Sequence, residues 1–369
     1  MFNRNTWKNI KAFLFGIFIA LLLCEIILRI YNPFPFALQK GKLVIPANQS
    51  RIYQNNWITK LDRKIYFSRN SLGFRGPEKP IPDSGWITIL TIGGSTTACT
   101  FLSDSCTWPF LLSKKLQEVH NNTWLNNAGI DGHSSFGHIL LLRDHVISMK
   151  PQFAIFLMGI NDTETDESDE FDQMTEKKIS TRSLKSFIKS LLNFSELGRT
   201  AFTFYHVSLA YKKGLYHQEI RLQDLVENPL PDSVITARLN RQSAYLKGYK
   251  QRTDSIMNMC MSAGIQPIFM TQPSLFGDYR DPVTGVNMAN KWINQKDADN
   301  SLLQEKILEK YNDVLRADST RIKVIDLAAL MPKNSLYYYD FIHFTNQGAE
   351  KVAEILANEL RATIRFPGQ

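Results

Sequence analysis

The sequence predicts an α/β protein whose core is a parallel sheet covered by helices on both faces. Five short strand-like segments, of which 87–92 is a clear β-branched run, alternate along the chain with longer segments of helical periodicity. Pro151 and Gly159 bound one of these segments, as expected for a strand between two turns. Alternation of this kind is typical of parallel sheets. The predicted strands span residues 87–92, 124–128, 153–158, 266–271 and 322–327.

The predicted helices have recognisable ends. The helix over 108–120 has Thr107 as its cap and Pro109 in its first turn. The helix over 239–263 ends at Gly264, a residue that readily adopts the left-handed conformation after a helix. The remaining helices are predicted over residues 136–148, 301–316 and 347–361.

Residues 163–235 interrupt this alternation and are predicted to be an insertion. Seven acidic residues fall within 162–172, and we expect a solvated loop there and no metal site. Apolar residues recur at helical spacing over 184–192, with basic residues opposite, which predicts an amphipathic helix. Its apolar face is expected to pack on the body of the protein; the alternative is a helix lying in a membrane interface.

The N-terminus is predicted to be a membrane anchor. Residues 10–30 are almost entirely apolar, and about 21 helical residues at ~1.5 Å each span the ~30 Å hydrocarbon core of a bilayer. Glu25 lies four residues before Arg29, which favours an ion pair. No A-x-A-like cleavage site is evident, so the anchor is expected to stay attached. Basic residues concentrate before the span, which predicts a cytoplasmic N-terminus and an extracytoplasmic (periplasmic) body.

The chain is therefore divided into a cytoplasmic tip and anchor (1–30), a stalk that packs on the body (31–85) and the α/β body (86–369).

The net charge of +8 is spread along the 369 residues without a basic block, which argues against nucleic-acid binding. Cys99 and Cys106 are seven residues apart; they form a disulfide in an oxidising compartment or are two small core residues.

Polar and glycine residues follow the predicted strands in a pattern that indicates serine acyl transfer. Ser95 comes after Gly93 and Gly94 at the end of a strand, where ligands of open α/β sheets bind. Asp340 and His343 are three residues apart, so the carboxylate can orient the imidazole while its other nitrogen faces Ser95.

An oxyanion also needs hydrogen-bond donors. The N–H groups of Ser95 and Gly129 and the side-chain amide of Asn161 are the candidates, because Gly129 and Asn161 each follow a strand. His133, His138 and His145 are expected to be structural, with substrate contact as an alternative for His133. Asp131 and Asp162 are expected to shape loops.

These blocks resemble the SGNH subgroup of the GDSL esterase/lipase family, in the family's order. They are Gly-Gly-Ser95-Thr, Asn127-Ala-Gly129, Gly-Ile-Asn161-Asp and Asp340-Phe-Ile-His343. The first block departs from Gly-Asp-Ser-Leu, and Phe344 stands where many members have proline. The resemblance covers about residues 86–361 and implies a flavodoxin-like three-layer α/β/α sandwich with a five-stranded parallel sheet. It also implies no cofactor.

The leading functional hypothesis is a serine esterase that acts on acyl esters, specifically O-acetyl esters of an envelope or exported glycan. The alternative is a polysaccharide O-acetyltransferase with the same triad, in which a sugar hydroxyl takes the acyl group. A third hypothesis is a catalytically silent binding or scaffold protein. The intact set of Ser95, Asp340 and His343 disfavours the third.

Overall fold

A five-stranded parallel sheet forms the centre of the molecule, as the sequence predicts. The computed structural model describes residues 4–30, 43–166, 195–198, 217–293 and 298–361. The sheet strands are β3 (Ile87–Gly93), β4 (Thr123–Asn127), β5 (Phe153–Leu157), β6 (Gln266–Met270) and β7 (Lys323–Ile325). Every residue of β3, β4 and β5 is buried, as is usual for parallel strands covered on both faces.

The strand order β4-β3-β5-β6-β7 is the flavodoxin-like order, and every neighbouring pair is parallel. The chain leaves β3 toward β4 and then crosses back to β5 on the other side. The crevice between the carboxyl ends of β3 and β5 is therefore the topological switch point, where ligands bind in such sheets.

Helices cover the sheet in two groups. One group contains α3 (Trp108–Gln117) and α9 (Asn346–Leu360), which pack against each other. The other contains α4 (Ser135–Leu141), α6 (Asp232–Ser262) and α7 (Ser301–Arg316). Shorter helices are α2 (Ser95–Ala98), α5 (Ile147–Met149) and α8 (Leu327–Leu330). The predicted α/β/α fold is confirmed.

Local signals account for several helix ends. The side chains of Thr107, Asn300 and Thr345 accept hydrogen bonds from backbone N–H groups at the starts of α3, α7 and α9. Gly264 has a φ of +76° directly after the C-cap of α6, and this left-handed turn ends the helix. The predicted helix over 136–148 differs in detail, because a π-helical segment, Leu142–Val146, separates α4 from α5.

The segment predicted as a stalk contains two strands that the sequence analysis does not assign. Strands β1 (Gln49–Gln54) and β2 (Lys64–Arg69) pair antiparallel, with Gln49 opposite Arg69. Most residues of β1 are exposed or half-buried, so its sequence lacks an apolar alternation. Residues from Ile45 onward belong to the same compact unit as the sheet, which comprises Ile45–Gln173 and His217–Gln369.

A second unit comprises Met1–Val44 and Met174–Tyr216. Its helix α1 (Arg4–Ile30) contains a 24-residue stretch, Trp7–Ile30, that is long and apolar enough to cross a membrane. The predicted ion pair is present, with Arg29 Nε 2.8 Å from Glu25 Oε1. The Glu25 carboxylate also accepts hydrogen bonds from Ser195 Oγ at 2.7 Å and from two backbone N–H groups. The predicted amphipathic helix over 184–192 lies outside the described residues.

Candidate active site

Ser95 lies at the carboxyl edge of the sheet, at the switch point. Strand β3 ends at Gly93, and Ser95 is the first residue of α2, so its side chain projects from a tight strand-to-helix turn. Glycine at position 94 leaves room for Asn161, because a Cβ there would meet the side-chain amide of Asn161 unless that amide shifted. Ser95 is 9% exposed, which leaves a narrow approach from solvent.

The three predicted catalytic side chains form one hydrogen-bonded chain. Ser95 Oγ lies 2.7 Å from His343 Nε2, and His343 Nδ1 lies 2.6 Å from Asp340 Oδ2. The sequence separates Ser95 from His343 by 248 residues, and the parallel sheet brings them together. A histidine whose two nitrogens face a carboxylate and a hydroxyl is arranged to take the hydroxyl proton.

Asp340 is held as a carboxylate. Burial opposes its ionisation, but the His343 imidazole and two backbone N–H groups outweigh this and hold the pKa of Asp340 below its ordinary value. Those N–H groups, of Ile342 and His343, donate to Asp340 Oδ1 at 2.9 and 2.7 Å. The ionised carboxylate then accepts the Nδ1 hydrogen, so Nε2 presents its lone pair to Ser95.

The candidate oxyanion donors lie at the same edge, but two of them already have partners. The N–H of Gly129 donates to Asn127 Oδ1 at 2.9 Å. Asn161 Nδ2 donates to the carbonyl of His133 at 3.0 Å, which uses one of its two hydrogens. Gly129 packs so closely on α2 that a Cβ there would meet the backbone of Ala98. Asn161 can donate its second hydrogen, whereas Gly129 must first share the bond that it makes to Asn127.

Arg75 organises the loop that follows Ser95, a role that the sequence analysis does not assign. Its guanidinium donates to the carbonyls of Ala98, Cys99 and Leu102 at 2.6 to 2.9 Å and pairs with Asp104. Its backbone also exchanges two hydrogen bonds with Asn127. The sequence shows only an arginine inside a turn-rich stretch. Arginines are common in such stretches, so this signal does not identify the role.

His217, within the predicted insertion of residues 163–235, is a second residue that the sequence analysis misses. Its ring centroid lies 4.2 Å from that of His343, and its Nδ1 lies 2.5 Å from the hydroxyl of Tyr339. Tyr339 stacks on His343 with an interplanar angle of 8°. Burial, together with the nearby His343, lowers the pKa of His217 to about 4, so its ring is neutral at neutral pH.

Asp162 and Asp131, the other predicted residues, form hydrogen bonds that fix loops next to the site. Asp162 is fully buried and accepts hydrogen bonds from Ser135 and Arg252, which fixes the turn that carries Asn161. Asp131 accepts a hydrogen bond from Thr100 at 2.7 Å. Both contacts are of the loop-shaping kind.

His133 and His138 are buried, with ring centroids 6.3 Å apart. Burial lowers their pKa values to about 4 and about 3, and both are therefore neutral core residues at neutral pH. The ring of His133 is buried, and its backbone carbonyl accepts a hydrogen bond from the Asn161 amide.

The cysteines near Ser95 are free thiols in this structure. Cys99 is buried, and its Sγ donates to the carbonyl of Thr96 at 3.4 Å, while Cys106 is half-buried. Burial raises the pKa of the Cys99 thiol to about 12, so it is not a nucleophile at neutral pH. Within the described part of the chain, no group of three or more His, Cys, Asp or Glu side chains is arranged to hold a metal ion.

A shallow depression with room for about one water-sized group lies beside Ser95 and His343 and is open to solvent. Most of its remaining walls are apolar. They come from Thr96, Cys99, Phe101, Leu102, Tyr339 and Phe344. A short apolar group such as a methyl fits this space, whereas a long acyl chain would extend out of it.

Solved structures with similar folds include Axe2, an acetylxylan esterase from Geobacillus stearothermophilus, at 14% identity over 75% of this chain and 95% of that one, with a TM-score of 0.41. LAE5, an α/β hydrolase enzyme from the metagenome of Lake Arreo, is 13% identical over 77% and 99%, with a TM-score of 0.42. A G-D-S-L family protein from Desulfitobacterium hafniense is 14% identical over 74% and 99%, with a TM-score of 0.39.

The sequence matches no protein-family model and no curated protein. At these identities and TM-scores, similarity to the solved structures establishes no activity for this chain.

Proposed function

We propose that this protein is a serine esterase that removes short acyl groups, specifically O-acetyl groups, from its substrate. The observation that carries the proposal is the chain of hydrogen bonds from Asp340 through His343 to Ser95, at 2.6 and 2.7 Å, beside a small and mainly apolar depression. The substrate alcohol is expected to be a glycan of the cell envelope or an exported glycan.

In the first step, Ser95 Oγ attacks the ester carbonyl carbon as its proton passes to His343 Nε2. The carbonyl oxygen becomes an oxyanion, for which the Ser95 N–H, the Asn161 amide and the Gly129 N–H are the proposed donors. The imidazolium of His343, stabilised by Asp340, then protonates the leaving alcohol, and the acyl group stays on Ser95.

In the second step, water gives a proton to His343 Nε2 and attacks the acyl carbon. The tetrahedral intermediate collapses, the acid leaves, and Ser95 regains its proton. The neutral ring of His217 suits this cycle, because a second cation at 4.2 Å would oppose the protonation of His343.

A fluorophosphonate probe tests the nucleophile directly. We expect covalent labelling of one peptide, that containing Ser95, in the folded full-length protein in detergent. Ser95→Ala should abolish labelling, whereas Ser105→Ala, which changes an exposed serine ten residues further along, should not. Folded wild-type protein that takes up no label would end the esterase proposal.

The acyl preference has its own test. Hydrolysis of p-nitrophenyl esters should fall steeply in kcat/KM from acetate to octanoate, because the depression cannot enclose the longer chains. Acetate release should equal ester consumption even when oligosaccharide is present. Transfer of most acetyl groups to the oligosaccharide would instead identify a transferase.

We also propose that α1 anchors the protein with its N-terminus in the cytoplasm and the site outside. Support comes from the apolar stretch Trp7–Ile30 and from the basic residues Arg4, Lys8 and Lys11, against Arg29 at the other end. The protein should stay with membranes after carbonate washing, and added protease should digest the body in spheroplasts. Protection of the body from protease would reverse the orientation.

A further inference from the structure

A row of aromatic rings leads from His343 toward solvent, with Phe101 and His217 half-buried and Trp57 exposed at its outer end. Trp57 meets Phe101 edge-on at 5.7 Å between centroids, Phe101 lies 4.9 Å from His217, and His217 lies 4.2 Å from His343. We call Trp57, Phe101 and His217 the aromatic row. Phe101 also lines the depression beside Ser95, so the row is continuous with the site.

Trp57 is held in place although half of its surface is exposed to solvent. It is 50% exposed, on the loop between β1 and β2. The buried side chain of Asn55 accepts hydrogen bonds from the N–H groups of Trp57 and Ile58 and donates to the carbonyls of Ile58 and Asp62. These hydrogen bonds fix the backbone of the loop that carries Trp57. A fixed loop lowers the entropy cost of binding a ligand at Trp57.

The same loop is tied to the segment that carries His217. Glu219 accepts hydrogen bonds from the backbone N–H groups of Thr59 and Lys60 and from the Thr59 hydroxyl. Lys60 Nζ donates to the carbonyl of Tyr338 at 3.0 Å, within the loop that carries Asp340. The two ends of the aromatic row and the catalytic loop are therefore parts of one hydrogen-bonded framework.

We propose that the aromatic row binds a pyranose ring of the O-acetylated oligosaccharide, next to the sugar whose ester is cleaved. The inference rests on the proposed esterase function and names its alcohol component. A pyranose presents C–H groups on its faces and hydroxyl groups at its edges, so it stacks on aromatic rings while its edges form hydrogen bonds.

The polar group that the row needs is His217. Its Nδ1 is engaged by Tyr339, which leaves Nε2 to bond a sugar hydroxyl. The ring is neutral, so it can do so without placing a second charge beside His343. A lipid alcohol would instead need an enclosed apolar groove, whereas this row is exposed to solvent at Trp57 and carries a polar ring at His217.

The experiment compares a ring-containing with a ring-free ester in the full-length protein in detergent. The substrates are O-acetylated xylotetraose and glycerol triacetate, and Trp57→Ala is compared with wild type. We expect the ratio of kcat/KM for the tetrasaccharide to that for glycerol triacetate to fall at least tenfold, mainly through KM. Tyr66→Ala removes a similarly exposed aromatic, 55% exposed on β2, and should leave the ratio unchanged. A ratio that Trp57→Ala leaves within twofold of wild type would overturn the proposal.

Binding to an inactive variant tests whether the aromatic row binds sugar independently of ester cleavage. In Ser95→Ala, acetylated xylotetraose should change tryptophan fluorescence saturably, and adding Trp57→Ala should weaken the binding at least tenfold. Lack of saturable binding, or equal affinity in the two variants, would reject the aromatic row as a sugar site. An enzyme inactive on glycerol triacetate and unlabelled by fluorophosphonate would reject the esterase alone, and saturable, Trp57-dependent binding would still support the row.

Discussion

Asp340 contacts His343 through both of its carboxylate oxygens. Oδ2 lies 2.6 Å from the ring Nδ1, and Oδ1 accepts the backbone N–H of the same histidine at 2.7 Å. The spacing of three residues makes this possible within one loop. Asp340 therefore binds both the ring and the backbone of His343, so it fixes the orientation of the imidazole within the loop.

Replacing Asp340 by asparagine should leave the loop folded but remove this orientation. The amide can donate to Nδ1, which would place the ring hydrogen on Nε2, facing Ser95, and prevent proton uptake from it. We expect kcat to fall by about 10⁴-fold. Steady-state kinetics with circular dichroism checks this, and Asp278→Asn, at an exposed position, is the matched control. A variant within tenfold of wild-type kcat would contradict the proposed role of Asp340.

Asn161→Ala tests the oxyanion site separately from the triad. The amide is held by the carbonyl of His133 and has one hydrogen left to donate. Loss of a donor used only in the transition state should lower kcat by about 10² to 10³-fold and change KM little. If KM rises and kcat stays constant, Asn161 binds the substrate and does not stabilise the oxyanion.

Arg75→Met should destabilise the protein. The side chain of Arg75 is 5% exposed, and its loss leaves the carbonyls of Ala98, Cys99 and Leu102 without this donor. We expect the free energy of unfolding to fall by about 3 kcal/mol, measured by urea denaturation. Arg63→Met, at an exposed position on the same loop-rich segment, should change it by less than about 0.5 kcal/mol. Equal losses in the two variants would show that Arg75 does not hold this loop.

The sequence predicts the central strands well because β3 and β5 are buried along their whole length and are mostly apolar. The helix over 301–316 is predicted with both ends correct, and in the structure Asn300 caps its N-terminus. The first turns of α6 are missed because residues before Leu239 are mostly exposed and carry little periodicity. Strand β1 is missed for the same reason.

Some residues of the candidate site could likewise be identified from the sequence, and others could not. Ser95, Asp340, His343, Gly129 and Asn161 could be selected because each stands at a strand end or in a short motif. Other contributors have no such signal. They act through geometry that only the folded chain creates, and they are Arg75, His217 and Tyr339, together with Trp57 of the proposed sugar site.

The buried histidines predict an acid limit to stability. The pKa values of His133 and His217 are lowered to about 4 and that of His138 to about 3, in each case first by burial. In the unfolded chain these rings titrate near their ordinary value of 6.5. Between pH 6.5 and about 3 to 4 the unfolded state therefore binds protons that the folded state does not, so stability falls as the pH falls through this window.

His138→Leu should flatten that fall. Both ring nitrogens of His138 lie buried without a hydrogen-bond partner in the described structure, so the replacement breaks no bond. Urea midpoints at pH 7, 6, 5 and 4 should decline less steeply in His138→Leu than in wild type, with similar or higher stability at pH 7. Asp340, whose pKa is lowered, contributes stability that is present above its ordinary pKa of 3.8 and is lost as the pH falls below it, and this contribution is the same in wild type and His138→Leu. Parallel curves for wild type and His138→Leu would show that His138 takes up its proton without unfolding.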